Sequence, residues 1–450
     1  MAAQLSGKSL GHSSITAVWL ARWEAICMHQ SDIRQIAKQL TEIINHAKIA
    51  DIEPGKRFRY ISNEHGSFVV LGEYIEKFDD FIRNLLERYK WSEKYSEKHL
   101  TKLIEQTIAC ILEADEPKEV ELYIADIVST YENYSEEHRV YIPLSGIRLE
   151  LNKFKIGKVV LRVFNDRIFR EELRNMRRIV STMRHNEEQK KEIIEKNMEL
   201  LKGLHNKVCA EFSVVAEPRR TLERAEDETR RIIDLLRFAT PAIYSKDLNV
   251  AVGIDGEIHD ITIRTSPVLS MDVRSFNFYF ERVGALSPFV INKDTIKRMR
   301  ETKILHISDI LNKPTTKISN FEDSILRGVH WLASATIQKE DANRFLNLIT
   351  CLETYLTPRD GNPIGTAIAE GVAIITGKDL QERKRLKRRI KELYSSRSGI
   401  SHGGNKSVLD KDVLELLDIS WNLTIWMIRH KNKYQSTKQL LEWIEEQKLT

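Results

Sequence analysis

The sequence predicts a mainly helical α+β protein whose last third is an all-α bundle. Three observations carry this. Proline and glycine are sparse, 10 and 19 in 450 residues, so most of the chain is regular structure. Two-residue alternation of apolar and polar positions is confined to short stretches before residue 320. Beyond Asn320 only helical spacing remains.

Up to about residue 135 the pattern is mainly helical. Asp32–Ile49, Tyr74–Tyr89 and Lys98–Ala114 space their apolar residues three and four apart. Arg59–Leu71 interrupts them, and its Asn63-Glu64-His65-Gly66 centre predicts a hairpin. From Val140 to Phe164 the period becomes two. Ile147, Leu149 and Leu151 alternate with polar residues, as do Val159, Leu161 and Val163 after Gly157, so a β-hairpin with a long connection is expected. Asp166 to about Gly203 reads as one long charged helix, a candidate for half of a coiled coil. Phe212–Ala216 reads as a short strand, and Pro218–Phe238 as a helix with proline in its first turn. Asp255-Gly256, inside Val250–Arg264, signals a third hairpin.

The C-terminal spacing predicts helices over Phe321–Ile337, Ala342–Tyr355, Pro363–Ile375, Leu380–Ser401 and Asp410–His430. Asp379 is the expected N-cap of the fourth, and Leu409-Asp410 opens the fifth. Short polar connections favour antiparallel neighbours in a bundle. Three regions follow: a mainly helical region over 1–135, an α+β middle over 136–319, and the helical bundle over 320–450.

Composition narrows the class. Hydrophobic residues make up 42% and charged residues 30%, a globular profile. No run of 18 apolar residues suggests a membrane span, and the first 20 residues lack the form of a signal peptide. Four well-separated cysteines without a CxxC pair fit a reduced, cytoplasmic protein and not a disulfide framework or structural zinc site. The net charge of +5 is mild for this length, so the distribution of charge matters more than its sum. Phosphate loops, dinucleotide turns and HExxH are absent from the sequence, and there is no GxSxG elbow: Gly399–Gly403 has that spacing but follows a predicted helix, not a strand.

The most informative segment is Leu393-Tyr394-Ser395-Ser396-Arg397-Ser398-Gly399-Ile400-Ser401-His402-Gly403. Arginine is permanently charged and can grip phosphate oxygens through two parallel hydrogen bonds. Histidine exchanges protons near neutral pH. The pair alone says little, because a chain of this composition holds about one by chance. Here His402 is the only histidine with an arginine five residues before it. Upstream, Glu353 sits in the apolar frame of Phe345, Leu348, Ile349, Leu352 and Leu356. A basic run, Lys378, Arg383, Lys384, Arg385, Lys387, Arg388, Arg389 and Lys391, leads into the segment over an apolar stripe of Leu386, Ile390 and Leu393. A polyanion approaching the segment meets this run first.

The order is a helix with an inward Glu, a second helix, a basic helix ending in Arg-x4-His-Gly, then an aromatic-rich helix. It resembles the HEPN superfamily, most closely the Apea-like HEPN domains of bacterial antiviral defence proteins. The resemblance covers about Phe321 to His430, and more loosely the α+β region before it. It implies a metal-independent endoribonuclease, with no cofactor, whose two protomers bring their motifs into one cleft. His402 would then act as general acid or base on the ribose 2′-hydroxyl or leaving oxygen, leaving a 2′,3′-cyclic phosphate. Arg397 would hold the scissile phosphate, and Glu353 would orient Arg397. Ser398 stands where many active members carry Asn, Asp or His, and can still hydrogen-bond. The implied partners are RNA (tRNA by analogy), a second copy of the chain, and a phage-derived trigger or an antitoxin, with no membrane.

Arg383, Lys384, Lys387, Arg388 and Lys391 are the expected RNA contacts. On a regular helix residues five apart lie roughly 140° around from each other, so a composite site across a dimer, or a bend at Gly399, is needed to bring Arg397 and His402 together. Trp421 and Trp426 are expected to pack the bundle core, and His330 to be a packing histidine. The acidic cluster Glu223, Glu226, Asp227 and Glu228, interleaved with arginines, reads as surface ion pairing. A catalytically silent HEPN module that binds RNA or protein, and a plain dimerisation protein, stay open as other readings.

Overall fold

The computed structural model describes residues 28–49, 58–62, 67–71, 73–113, 119–244, 252–257, 262–270, 275–283, 287–338, 340–357, 363–403 and 408–448. They form 15 α-helices and 12 strands, a mainly helical α+β protein. They group into two compact units: residues up to Val140 with Ser213–Arg224, and Tyr141–Phe212 with Ala225 onward. The α+β middle and the C-terminal bundle thus belong largely to one unit.

The first unit contains α1 (Gln30–Ile44), β1 (Ala47–Ile49), β2 (Phe58–Ser62), β3 (Ser67–Leu71), α2 (Glu73–Glu87), α3 (Glu97–Glu113) and α4 (Val120–Glu132). Ile33, Ile36, Leu40 and Ile43 form the buried stripe of α1, packed with Phe78, Phe81 and Leu85 of α2. The expected hairpin is present: β2 and β3 pair antiparallel from Phe58↔Leu71 to Ser62↔Ser67, and β1 joins β3 on its other edge. The four residues of its turn lie outside the described ones. Buried Glu217 fastens this unit, accepting from the backbone N–H groups of Ser96 (3.1 Å), Arg219 (2.9 Å) and Arg220 (2.8 Å). Burial raises its pKa, but a hydrogen bond from the Ser96 side chain together with these backbone ones outweighs it and holds the carboxyl below its ordinary value.

The chain continues through β4 (Glu137–Ser145), β5 (Ile147–Leu149), β6 (Phe154–Ile156), β7 (Val159–Val163), α5 (Asp166–Ser181), α6 (Glu187–Lys202), β8 (Val208–Val215), α7 (Pro218–Ile243), β9 (Gly253–Ile254), β10 (Thr262–Ser270), β11 (Ser275–Val283), β12 (Phe289–Ile291), α8 (Lys293–Glu301) and α9 (His306–Asn312). Five strands form one sheet in the order β6-β7-β8-β4-β9.

Three expectations are corrected here. The hairpin of the 140–164 region is β6–β7, not Ile147–Leu151 with Val159–Val163. Its two-residue turn starts at Gly157, with φ of 55°. A Cβ there would stand 2.7 Å from Leu311 Cβ, so glycine is required twice over. β5 instead pairs in parallel with β12, Phe289↔Ile147 to Ile291↔Leu149, because alternation marks a strand and not its partner. The long helix is two helices. Asn186 and Gln189 form a reciprocal capping box that starts α6 afresh, and α6 packs against α5. The Asp255-Gly256 turn forms, with Gly256 at φ 89°, but β9 before it pairs with β4. The hairpin lies one strand later, between β10 and β11, from Thr262↔Val283 to Ser270↔Ser275.

The bundle consists of α10 (Asn320–Ile337), α11 (Asp341–Leu356), α12 (Ile364–Thr376), α13 (Leu380–Gly403), α14 (Asp410–Arg429) and α15 (Thr437–Lys448). The first five match the expected helices to within two residues. Asp379 Oδ1 accepts from the Glu382 N–H at 2.8 Å, the anticipated cap of α13. The stripes meet in one core: Phe345, Leu348, Ile349 and Leu352 of α11, Leu386, Ile390 and Leu393 of α13, and Val413, Leu416 and Leu423 of α14 are buried. No helix among the described residues is long and apolar enough to cross a membrane.

Candidate active site

Glu353 lies in the last turn of α11, beside the buried Leu352. Thr357 ends this helix, donating its N–H (3.1 Å) and hydroxyl (2.7 Å) to the Glu353 carbonyl. The Glu353 side chain is 17% exposed and faces α13, where Arg397 meets it in a fork. Arg397 Nε is 3.2 Å from Oε1, and Nη2 donates to Oε2 at 3.3 Å. Arg397 Nη1 has no hydrogen-bond partner among the described residues.

Tyr394, three residues earlier on α13, completes the cluster. Its hydroxyl donates to Glu353 Oε1 at 2.9 Å, and the Arg397 guanidinium carbon lies 5.9 Å from its ring centroid. Burial, then the bond to the Glu353 carboxylate, raises the Tyr394 pKa, so the phenol stays a donor. α12 fixes the ring from the other side. A Cβ on Gly365, in the first turn of α12, would stand 2.5 Å from Tyr394 Cδ1. One carboxylate therefore sets two α13 side chains, and a glycine lets α12 close on one of them. The pairing of Glu353 with Arg397 was expected; the parts of Tyr394 and Gly365 were not. The sequence signal for Tyr394 is its three-residue offset from Arg397 on one helix.

α13 stays helical through Gly399 and ends at Gly403. His402 occupies the last turn, and its side chain lies outside the described residues. On a straight helix its direction differs by roughly 140° from that of Arg397. Ser398 is exposed.

The five expected RNA contacts divide. Lys384, Arg388 and Lys391 are exposed and have no ion pair among the described residues. Lys384 and Arg388 border a shallow concavity on the first turns of α13. Arg383 instead donates from Nε to the Gly377 carbonyl at 3.4 Å. Lys387 pairs at 2.8 Å with Glu370, which Lys448 shares at 2.6 Å. Burial raises the Glu370 pKa, but the hydrogen bonds from Lys387 and Lys448 outweigh it and the net shift is downward.

One other expectation changes. Trp421 and Trp426 are half-buried and line a groove instead of filling the core. His330 meets a neighbouring helix through a polar contact: Nδ1 lies 2.8 Å from Asp234 Oδ2 on α7, and that hydrogen bond raises its pKa. The acidic cluster is ion-paired, Glu223 with Arg219 and Arg220, and Glu228 with Arg231 and Lys158. Among the described residues no group of three or more His, Cys, Asp or Glu side chains is arranged to hold a metal ion.

No protein-family model, curated protein or solved structure matches the chain.

Proposed function

We propose that this chain is a metal-independent endoribonuclease of the HEPN type, with Arg397 and His402 as its working pair. The observation that carries the reading is the Glu353–Arg397 fork between α11 and α13. It fixes the arginine of an Arg-x4-His segment by two of its nitrogens and leaves Nη1 for a phosphate oxygen. His402 stands one residue before the end of α13.

In the proposed reaction the ribose 2′-hydroxyl attacks the adjacent phosphorus, and the bond to the 5′ oxygen of the next nucleotide breaks. A proton leaves the 2′-hydroxyl and one is delivered to the departing oxygen, with His402 serving one of these transfers. Arg397 neutralises the charge that builds on the phosphoryl oxygens. The products are a 2′,3′-cyclic phosphate and a 5′-hydroxyl. The angular separation of Arg397 and His402 on a straight helix supports a site completed by a second copy of the chain, and hence a homodimer through the bundle. Lys384, Arg388 and Lys391 are the RNA contacts retained. The biological setting proposed is antiphage defence in the cytoplasm, with the rest of the chain holding the nuclease silent until a phage trigger, or loss of an antitoxin, releases it.

One observation favours a second reading, a silent HEPN module serving as an RNA- or protein-binding scaffold. Arg397 already has a carboxylate partner, which offsets its charge. Expression in bacteria separates the two. The nuclease arrests growth when triggered and leaves cyclic-phosphate RNA ends, and His402→Ala abolishes both. A scaffold leaves no such ends under any trigger.

A further inference from the structure

The far end of α13 carries a second concave feature. α14 turns one stripe, Ile419, Asn422, Ile425, Trp426 and Arg429, toward the junction where α12 ends and α13 begins. There the helices do not close, and a groove of ≈ 560 Å³ remains, a size that takes a nucleotide. Trp421 and Trp426 line it. Both rings are held before any ligand arrives. Trp421 Nε1 donates to the Phe238 carbonyl at 3.2 Å. Trp426 stacks on His430 (ring centroids 3.9 Å apart) and on Trp443 (5.5 Å). Fixed indoles are the surfaces on which unpaired bases stack, and they need little ordering on binding.

The charge around the rings is mixed, three cations with three carboxylates. Lys378, Arg385 and Arg429 border the groove with Glu382, Glu415 and Asp418. The acidic side is partly occupied: Glu415 accepts from Arg389 Nε at 2.8 Å, and Glu382 from the Lys378 N–H at 2.9 Å. Lys378 and Arg429 are exposed and have no carboxylate partner among the described residues, and Arg385 reaches Glu382 only at 3.9 Å. Glu382 and Arg385 also border the concavity that holds Lys384 and Arg388, so aromatic groove and basic surface run into one another. Aromatic surface beside unpaired cations suits a base with its flanking phosphates better than a duplex, whose bases are stacked away.

We infer that this groove is an exosite for an unpaired nucleotide of the RNA strand. The inference rests on the nuclease reading for the identity of the strand and deepens it. The substrate carries a single-stranded segment that reaches from the cleavage site to the groove. Arg385 and Arg397 are 12 residues apart on α13, so that reach is about 18 Å along the helix.

The test measures fluorescence anisotropy of a short, unstructured, labelled oligoribonucleotide on the full-length His402→Ala protein, in which the RNA stays intact. The comparison is with Lys378→Glu/Arg429→Glu and with Trp421→Leu in the same background. The expected result is about tenfold weaker binding of the oligonucleotide in each variant, with the weak binding of an RNA duplex of equal length unchanged by Trp421→Leu. The charge reversals lie on exposed side chains, so they keep the test valid if Trp421→Leu fails to fold. Oligonucleotide binding indifferent to the charge reversals overturns the inference. So does a duplex that depends on Trp421 as strongly as the single strand, or a free mononucleotide that binds as tightly as the oligonucleotide. A protein that cuts RNA while ignoring the groove loses this inference alone. One that binds in the groove and never cuts loses the nuclease reading and keeps the exosite.

Discussion

Two arginines eight residues apart on α13 both meet carboxylates from a neighbouring helix, and they end differently. Arg389, 26% exposed, faces α14. Its Nη2 reaches Asp412 at 2.5 Å, its Nε reaches Glu415 at 2.8 Å, and its Nη1 lies 3.5 Å from Glu392 of its own helix. Burial lowers its pKa, but Glu415 and Asp412 outweigh that and raise it well above the ordinary arginine value. Every nitrogen is engaged, so this is a bolt between α13 and α14. Arg397, 43% exposed, faces α11, shares a single carboxylate with Tyr394, and keeps one nitrogen uncommitted. The same side chain on the same helix is structural where carboxylates surround it. It is available for a substrate where one carboxylate only aims it.

The contrast can be broken by experiment. Arg397→Ala should lower RNA cleavage by roughly 10²–10³, the usual effect of removing one donor to a developing oxyanion. Its stability should fall by only about 1 kcal/mol, since Arg397 is 43% exposed and the Tyr394 hydroxyl still donates to the Glu353 carboxylate. Arg389→Ala should do the reverse. It leaves Asp412 and Glu415 without their cation, so urea denaturation should register a loss of about 2 kcal/mol, with cleavage per folded molecule unchanged. A cleavage defect in folded Arg389→Ala would erase the distinction. Glu353→Gln keeps the shape and the acceptor for Tyr394 but loses the charge that aims Arg397. Cleavage about tenfold lower with unaltered folding is expected, and an unchanged rate would make Glu353 a packing residue only.

Smaller effects sharpen the same division among the basic residues. Replacing Lys384, Arg388 or Lys391 by Ala should reduce the salt dependence of RNA binding by about one counterion each. Arg383→Ala and Lys387→Ala should leave that slope as it is, because their side chains are bound to Gly377 and Glu370. The smallest effect concerns His330. Its hydrogen bond to Asp234 raises its folded pKa above the ordinary 6.5. The stability it adds is then fully present below pH 6.5 and lost as pH rises through the folded pKa. Thermal midpoints of wild type and His330→Gln should differ more at pH 6 than at pH 8.5.

Most of the helical framework was legible in the sequence. Local spacing fixes a helix and its caps, and α10 to α14 follow from spacing, Asp379 and Asp410. What escaped depends on partners remote in the chain or on short signals. β5 finds β12 some 140 residues on. The β10–β11 hairpin hides behind Pro267, which speaks against a strand. α6 and α15 begin at the short cap signals Asn186-x-x-Gln189 and Ser436-x-x-Gln439, which the surrounding charge obscured. At the candidate site, Arg397, His402 and Glu353 were singled out through a family resemblance. Tyr394 shares a helix face with Arg397 by its three-residue offset, but its bond to the carboxylate, Gly365 behind its ring and the indoles of the groove are matters of three-dimensional approach that no spacing announces.

The central claim is that the end of α13 cuts RNA. The most direct measurement is cleavage of total bacterial RNA in EDTA by purified protein, activated by its trigger if the protein alone is silent, with Arg397→Ala and His402→Ala beside it. The wild type should cut and leave 2′,3′-cyclic phosphate ends, with cutting lost in His402→Ala and reduced roughly 10²–10³-fold in Arg397→Ala. Equal cutting by all three, or 3′-hydroxyl ends from the wild type, would contradict it.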